Sequence, residues 1–220
     1  MVRERYFTPE TIQAKSRELL AHAGNARRRR EPLRILPGKI ALLVLDMQAY
    51  FLQEDSHAFI PSAPAIVGGI SRMASIFIEL DLPVIFTRHI NTPEDAGMMS
   101  VWWRDMIEAQ SAYSHIINKL NTSTATIIDK PQYDAFFQTA LEETLREQEV
   151  EQVVICGVMT HLCCETTARS AFMRGFEVFF AVDGTATYNE ELHRASLLTL
   201  SHGFATPVLV DEILTALELV

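Results

Sequence analysis

The sequence is short of every device that stabilises or tethers a protein other than a buried core. Three cysteines among 220 residues are too few, and odd in number, for a disulfide-stapled secreted module. No apolar run approaches the roughly 20 residues that span a bilayer, so no membrane partner is expected. The opening MVRERYFTPETIQAKSREL lacks the apolar stretch of a secretion signal, and the expected setting is the reducing cytoplasm. No phosphate loop or GxGxxG follows the first apolar run, which disfavours a nucleotide-binding domain. The seven histidines include no HxH, HxxxH or HExxH. Only distant residues such as His89 and Asp46 could hold zinc, so neither metal nor other cofactor is expected. Basic residues are also in deficit, 19 against 28 acidic, for a net charge of −9, which argues against nucleic acid as partner.

What is present is apolar material, 48% of residues, far too much for disorder. The length suits one large α/β domain or two small ones. Charge is unevenly placed: residues 1–38 carry nine Lys/Arg against four Glu, whereas residues 39–220 carry ten against 24 acidic side chains. A basic arm (1–38) on an acidic body (39–220) is the simplest division. Within the arm, residues 8–23 read as an amphipathic helix, with Thr8 as N-cap, Pro9 at the first position and Gly24 and Asn25 as stop signals. The run Arg27–Arg30 that follows reads as a solvated face, an oligomer contact or an anion contact.

From residue 39 short apolar runs alternate with helical segments. The runs are Ile40–Leu45, Val84–Thr87, Ala125–Ile128, Val153–Cys156, Val178–Val182 and Pro207–Val210. Helices are expected near 62–80, 134–148, 161–175 and 189–202. Runs so short and apolar suit strands buried on both faces of a parallel sheet, and repeated β-then-α units build an open, doubly wound, Rossmann-like sheet. In such sheets ligands bind beyond the carboxyl ends of the strands. Three chemistry-bearing residues fall there: Asp46, Lys130 and Cys163. Singly, each has an ordinary structural reading as a turn residue, a solvated lysine or a packed thiol. Together they offer a base, a cation and a nucleophile. Cys163 is expected in the first turn of a helix, where free N–H groups and the helix dipole would lower its pKa. Cys156 falls inside a strand, and Cys164 points about 100° away from Cys163 around a helix.

The segments LLVLDMQAYF, VIFTRH, IIDKPQYDAFFQT and VICGVMTHLCCETTARSAFMRGFEV resemble, in order, the motifs of the isochorismatase-like cysteine hydrolases, over roughly residues 36–215. The resemblance implies a three-layer α/β/α sandwich around a six-stranded parallel sheet, commonly as a homodimer or homotetramer. It implies that Asp46 accepts the thiol proton, Lys130 holds the thiolate, and Cys163 attacks a carbonyl to form a thioester. It also implies a non-proline cis peptide, here Val158–Met159, that turns the Met159 and Cys163 N–H groups toward an oxyanion.

Two branches of that superfamily compete. DMQAYF and His161 look like true isochorismatases, which hydrolyse a vinyl ether through the aspartate and need no thiol. They usually have glycine or serine where this chain has Cys163, and His89, Ala96 and Met159 stand where they carry substrate-reading residues. The favoured expectation is a hydrolase of a C–N bond (amide, carbamoyl or ureido) in a small molecule, with isochorismatase as alternative and a non-catalytic binding or scaffold module behind both. The nicotinamidase subtype matches incompletely: Asp55-Ser56-His57 supplies one Asp-x-His and no further histidine close by. Substrate contact is expected from Gln48, Arg88, His89, Trp103, Tyr133, Phe137 and His161.

Overall fold

A computed structural model of the chain describes residues 2–23 and 33–218. The Arg27–Arg30 run and the expected stop at Gly24 and Asn25 lie outside the described residues. The first helix, α1 (Ile12–Ala23), begins four residues later than expected. The reason is local: the Thr8 carbonyl accepts the Thr11 and Ile12 N–H groups, and the Thr8 hydroxyl also meets the Thr11 N–H at 3.3 Å. A turn around Pro9 therefore closes before regular helix starts.

Six strands follow: β1 (Ile40–Leu45), β2 (Val84–His89), β3 (Thr126–Lys130), β4 (Gln152–Val158), β5 (Glu177–Ala186) and β6 (Thr206–Val208). All pair in parallel, in the order β3-β2-β1-β4-β5-β6. Every residue of β1 and β4 is buried, as near-continuous apolar runs require when helices cover both faces. Edge strand β3 departs from that expectation, leaving Ile127 exposed. Between the strands run short α2 (Ala49–Leu52), α3 (Ala63–Glu79), short α4 (Met99–Trp102), α5 (Leu141–Glu147), α6 (Glu165–Met173), α7 (Glu190–Gly203) and α8 (Val210–Glu218). Helices α3 and α8 pack together on one face, and α1, α6 and α7 pack on the other. The result is a three-layer α/β/α sandwich.

Two segments differ from expectation because side chains compete for the backbone. The helix expected at 134–148 is confined to α5. Upstream of it, the Asp134 carboxylate takes the Phe136 N–H and the Ser170 hydroxyl, and Thr167 Oγ1 takes the Ala135 N–H, tying an irregular segment to α6. Val210 opens α8 instead of ending a strand, because Asp183 accepts its N–H at 2.8 Å. Asp183 itself lies within β5.

Candidate active site

The chain runs outward from β1 to β3 and then returns to place β4 against the other side of β1. The crevice at that switch point is where an open parallel sheet binds ligands. Gly157 makes the β1–β4 approach possible. Its φ is +112°, and a Cβ there would lie 2.0 Å from the Leu45 carbonyl oxygen, so no larger residue fits. The Val158–Met159 peptide that follows is cis. The chain then enters a π-helical turn, Thr160–Cys164, before α6, rather than the α-helical first turn expected for Cys163. The Met159 carbonyl accepts both the Leu162 and Cys164 N–H groups, folding the turn back onto the end of β4.

Asp46, Lys130 and Cys163 come together. Asp46 caps β1 with φ +52°, a left-handed conformation that aspartate tolerates better than most residues. Its carboxylate is fully buried, accepts the Thr87 hydroxyl at 2.6 Å through Oδ1 and meets Lys130 Nζ at 2.8 Å through Oδ2. Lys130 reaches over from β3, also fully buried, and donates to Cys163 Sγ at 3.3 Å and to the Gln132 carbonyl at 2.9 Å. Two hydrogen bonds and the ion pair with Asp46 hold the ammonium in one place.

The electrostatics correct one expectation. Burial first, and the Asp46 charge second, push the Cys163 thiol up to about 12, with Lys130 offsetting part of the rise. Burial and the neighbouring carboxylate thus work against a resting thiolate. Burial opposes the charge on Lys130, but Asp46 and Cys163 outweigh it and the lysine pKa ends above its ordinary value. Cys156 and Cys164 are raised chiefly by burial, and neither has the lysine contact.

A pocket of about 200 Å³ opens above this floor, and Cys163, Met159, His89, Trp103 and Tyr133 line it. Trp103 Nε1 donates to the Tyr133 hydroxyl at 2.7 Å, fixing two walls at right angles. His89 is buried and neutral, with its pKa lowered to about 4 by desolvation and by nearby Lys130. Its Nε2 faces Asn91 Oδ1 at 2.8 Å. Because the Asn91 amide N–H₂ is spent on the Pro131 carbonyl and Asp95, Nε2 carries the proton, and Nδ1 has no partner among the described residues.

Four expected substrate contacts do not reach the pocket. Gln48 is wholly internal: its amide accepts the His89 N–H and donates to the His89 and Ser114 carbonyls, so it positions His89. Arg88 forms a two-pronged pair with Asp129 at 2.7 and 2.8 Å, because alternation along β2 turns it away from its neighbours Thr87 and His89. Phe137 is 46% exposed and stands outside the lining. His161 bonds the Thr187 hydroxyl at 2.6 Å.

Other residues were missed by the sequence reading. Thr87 lies within VIFTRH, and the Asp-adjacent strand position was its only signal. Tyr6, from the arm, accepts the Thr187 N–H at 3.0 Å and meets His193 Nδ1 at 3.0 Å, and the same nitrogen faces Thr160 of the π turn at 3.1 Å. Tyr50, His57 and Asp105 form a second cluster at the pocket wall: the Tyr50 hydroxyl donates to Asp105 at 2.5 Å and lies 3.2 Å from His57 Nε2. No spacing signal links these residues. His57 is thereby committed, Asp55 of the same Asp-x-His is exposed, and no group of three or more His, Cys, Asp or Glu among the described residues could hold a metal ion.

Comparison with known proteins agrees with this geometry. A family model described as an isochorismatase domain matches residues 40–212. Nicotinamidase 3 of Arabidopsis thaliana is 42% identical over 79% of this chain and 86% of its own. Enterobactin synthase component B of Escherichia coli is 27% identical over 82% of this chain, which spans 64% of that protein. A cysteine hydrolase from Pseudomonas syringae superposes with a TM-score of 0.82 at 26% identity, covering 84% of this chain and 95% of its own.

Proposed function

The chain belongs to the isochorismatase-like cysteine hydrolase superfamily, and from that membership we propose that it is a thiol-dependent amidohydrolase of small molecules. One observation carries the reading: a buried carboxylate and a thiol share a single lysine at the floor of a pocket. A carboxylate, an ammonium and a thiol together carry no net charge. Moving the proton from Sγ to Asp46 leaves the trio neutral, so no net charge is buried when the nucleophile forms. The raised thiol pKa is thus compatible with catalysis, because the proton moves only a short distance within the site as attack occurs.

Sulfur attacks the carbonyl carbon, and the negative charge on its oxygen faces the Met159 and Cys163 N–H groups. Asp46 returns its proton to the departing nitrogen as the C–N bond breaks, leaving a thioester. Water then gives a proton to Asp46 and attacks the thioester. Collapse releases the acid, and Asp46 reprotonates the sulfur. Lys130 stays charged throughout. The 42%-identical relative, by its name a nicotinamidase, and the cysteine hydrolase likeness support amide chemistry. We also propose that the protein works as a homodimer or homotetramer and that the arm is an appendage to one hydrolase domain.

A screen of small carboxamides, carbamoyl and ureido compounds, with isochorismate beside them, tests the reading. Release of ammonia or amine is the expected result. Turnover of isochorismate alone, unchanged in Cys163→Ala, would replace it with vinyl-ether hydrolysis by Asp46.

A further inference from the structure

Arg3 and Arg104 both line the pocket, and neither has a carboxylate partner among the described residues. Elsewhere Arg72, Arg88, Arg146, Arg169, Arg174 and Arg194 each pair with an acidic side chain. In a chain of net charge −9, these two guanidinium groups are a local concentration of positive charge at one pocket. The acidic residue lining the same wall, Asp105, already accepts the Tyr50 hydroxyl and lies 3.2 Å from His57. The wall thus sets two guanidinium groups against one carboxylate.

Arg3 is also held in place. Its guanidinium lies over the Tyr188 ring, 4.6 Å from the centroid, and it donates to the His57 and Phe59 carbonyls, leaving donors to spare. The backbone on either side is tied down: Asn189 donates to the Val2 carbonyl at 3.3 Å, and the Glu4 N–H donates to the Tyr188 carbonyl at 2.7 Å. Tyr6 and the buried Phe7 anchor the segment beyond. A side chain fixed by stacking and by neutral acceptors keeps its charge available, and a concave apolar wall concentrates that charge on the pocket.

We propose that the N-terminal arm completes the substrate site, and that Arg3 with Arg104 reads a carboxylate carried by the substrate at a distance from the bond that is cleaved. The preferred substrate is then an anionic amide or ureido acid, not a neutral amide. For catalysis this rests on the amidohydrolase reading; for binding it does not.

The test measures protection of Cys163 from iodoacetamide by two matched probes, 4-carbamoylbenzoate and benzamide, in the wild type, Arg3→Ala, Arg104→Ala and the double variant. The carboxylate is expected to protect roughly tenfold better than benzamide, with the preference falling several-fold in each single variant and to within about twofold in the double. Arg3→Lys, which keeps the charge but not the planar stack, should retain part of it. Equal protection by the two probes, no protection by either, or a preference untouched in the double variant would overturn the proposal. Ammonia release from the same two compounds is read separately. A carboxylate preference without turnover of either supports the anion site while counting against the amidohydrolase reading.

Discussion

The floor and the mouth of the pocket are built by different rules. At the floor, Asp46 and Lys130 stand at the ends of β1 and β3 and Cys163 in the turn after β4, and sheet register with that turn sets Lys130 2.8 Å from Asp46 and 3.3 Å from Cys163. At the mouth, Arg3, Tyr50, His57, Arg104 and Asp105 come from the arm and two loops, joined by stacking and hydrogen bonds across long sequence separations. The floor is dry, and each of its charges depends on another. The mouth is solvated, and its charges act nearly independently. A change at the floor should therefore cost both fold and chemistry, and a change at the mouth chiefly selectivity.

The largest effect is expected from Lys130→Ala. It leaves the Asp46 carboxylate buried without its cation, which costs about 3–5 kcal/mol, and it should abolish hydrolysis. Urea unfolding together with an activity assay checks this. A stability loss below about 1 kcal/mol would mean that the floor is as loosely coupled as the mouth.

Acid should come next. His89 and His193 have folded pKa values lowered to about 4 and about 3, each chiefly by burial. The unfolded chain therefore binds protons first as pH falls below about 6.5, and stability declines through that window. His193 alone should contribute roughly 3 kcal/mol between pH 6.5 and 4. Asp183 works the other way: burial raises it to about 6, so its protonation favours the fold as pH falls from 6 toward 4. Asp183→Asn keeps an acceptor for the Val210 N–H and should steepen the acid loss. Thermal melts across pH 4–7 read both slopes.

Tyr6→Phe probes the link between arm and floor. It removes the acceptor of the buried Thr187 N–H and the contact with His193, for a loss of about 1–3 kcal/mol in urea unfolding. The smallest effect is expected at Arg88→Ala. The Arg88–Asp129 pair is partly exposed and outside the pocket, so stability should change by about 0–1 kcal/mol and KM should not move.

The same division explains what the sequence made legible. Strand ends are marked by where apolar runs stop, so Asp46, Lys130 and Cys163 could be picked out, as could the six parallel strands. The direction of a side chain at a strand end depends on register, which composition does not encode. Arg88 and His89 are adjacent, yet only His89 faces the pocket. Gln48 looked like a substrate contact because its polarity was visible, whereas its three backbone partners were not. The mouth depends on the arm folding back beside Tyr188, a contact across 185 residues that leaves no periodic trace. Cys163 was expected in the first turn of an α-helix with a lowered pKa; its turn is π-helical, and burial beside a carboxylate pushes the thiol up.

The most direct measurement is ammonia or amine release over a panel of small amides and ureido acids, by wild type and by Cys163→Ala in parallel. Thiol-dependent hydrolysis requires release by the wild type and a loss of roughly 10³-fold or more in the variant, with its fold retained. Release that survives in Cys163→Ala would contradict the thioester route and the reading of Asp46, Lys130 and Cys163 as one catalytic unit.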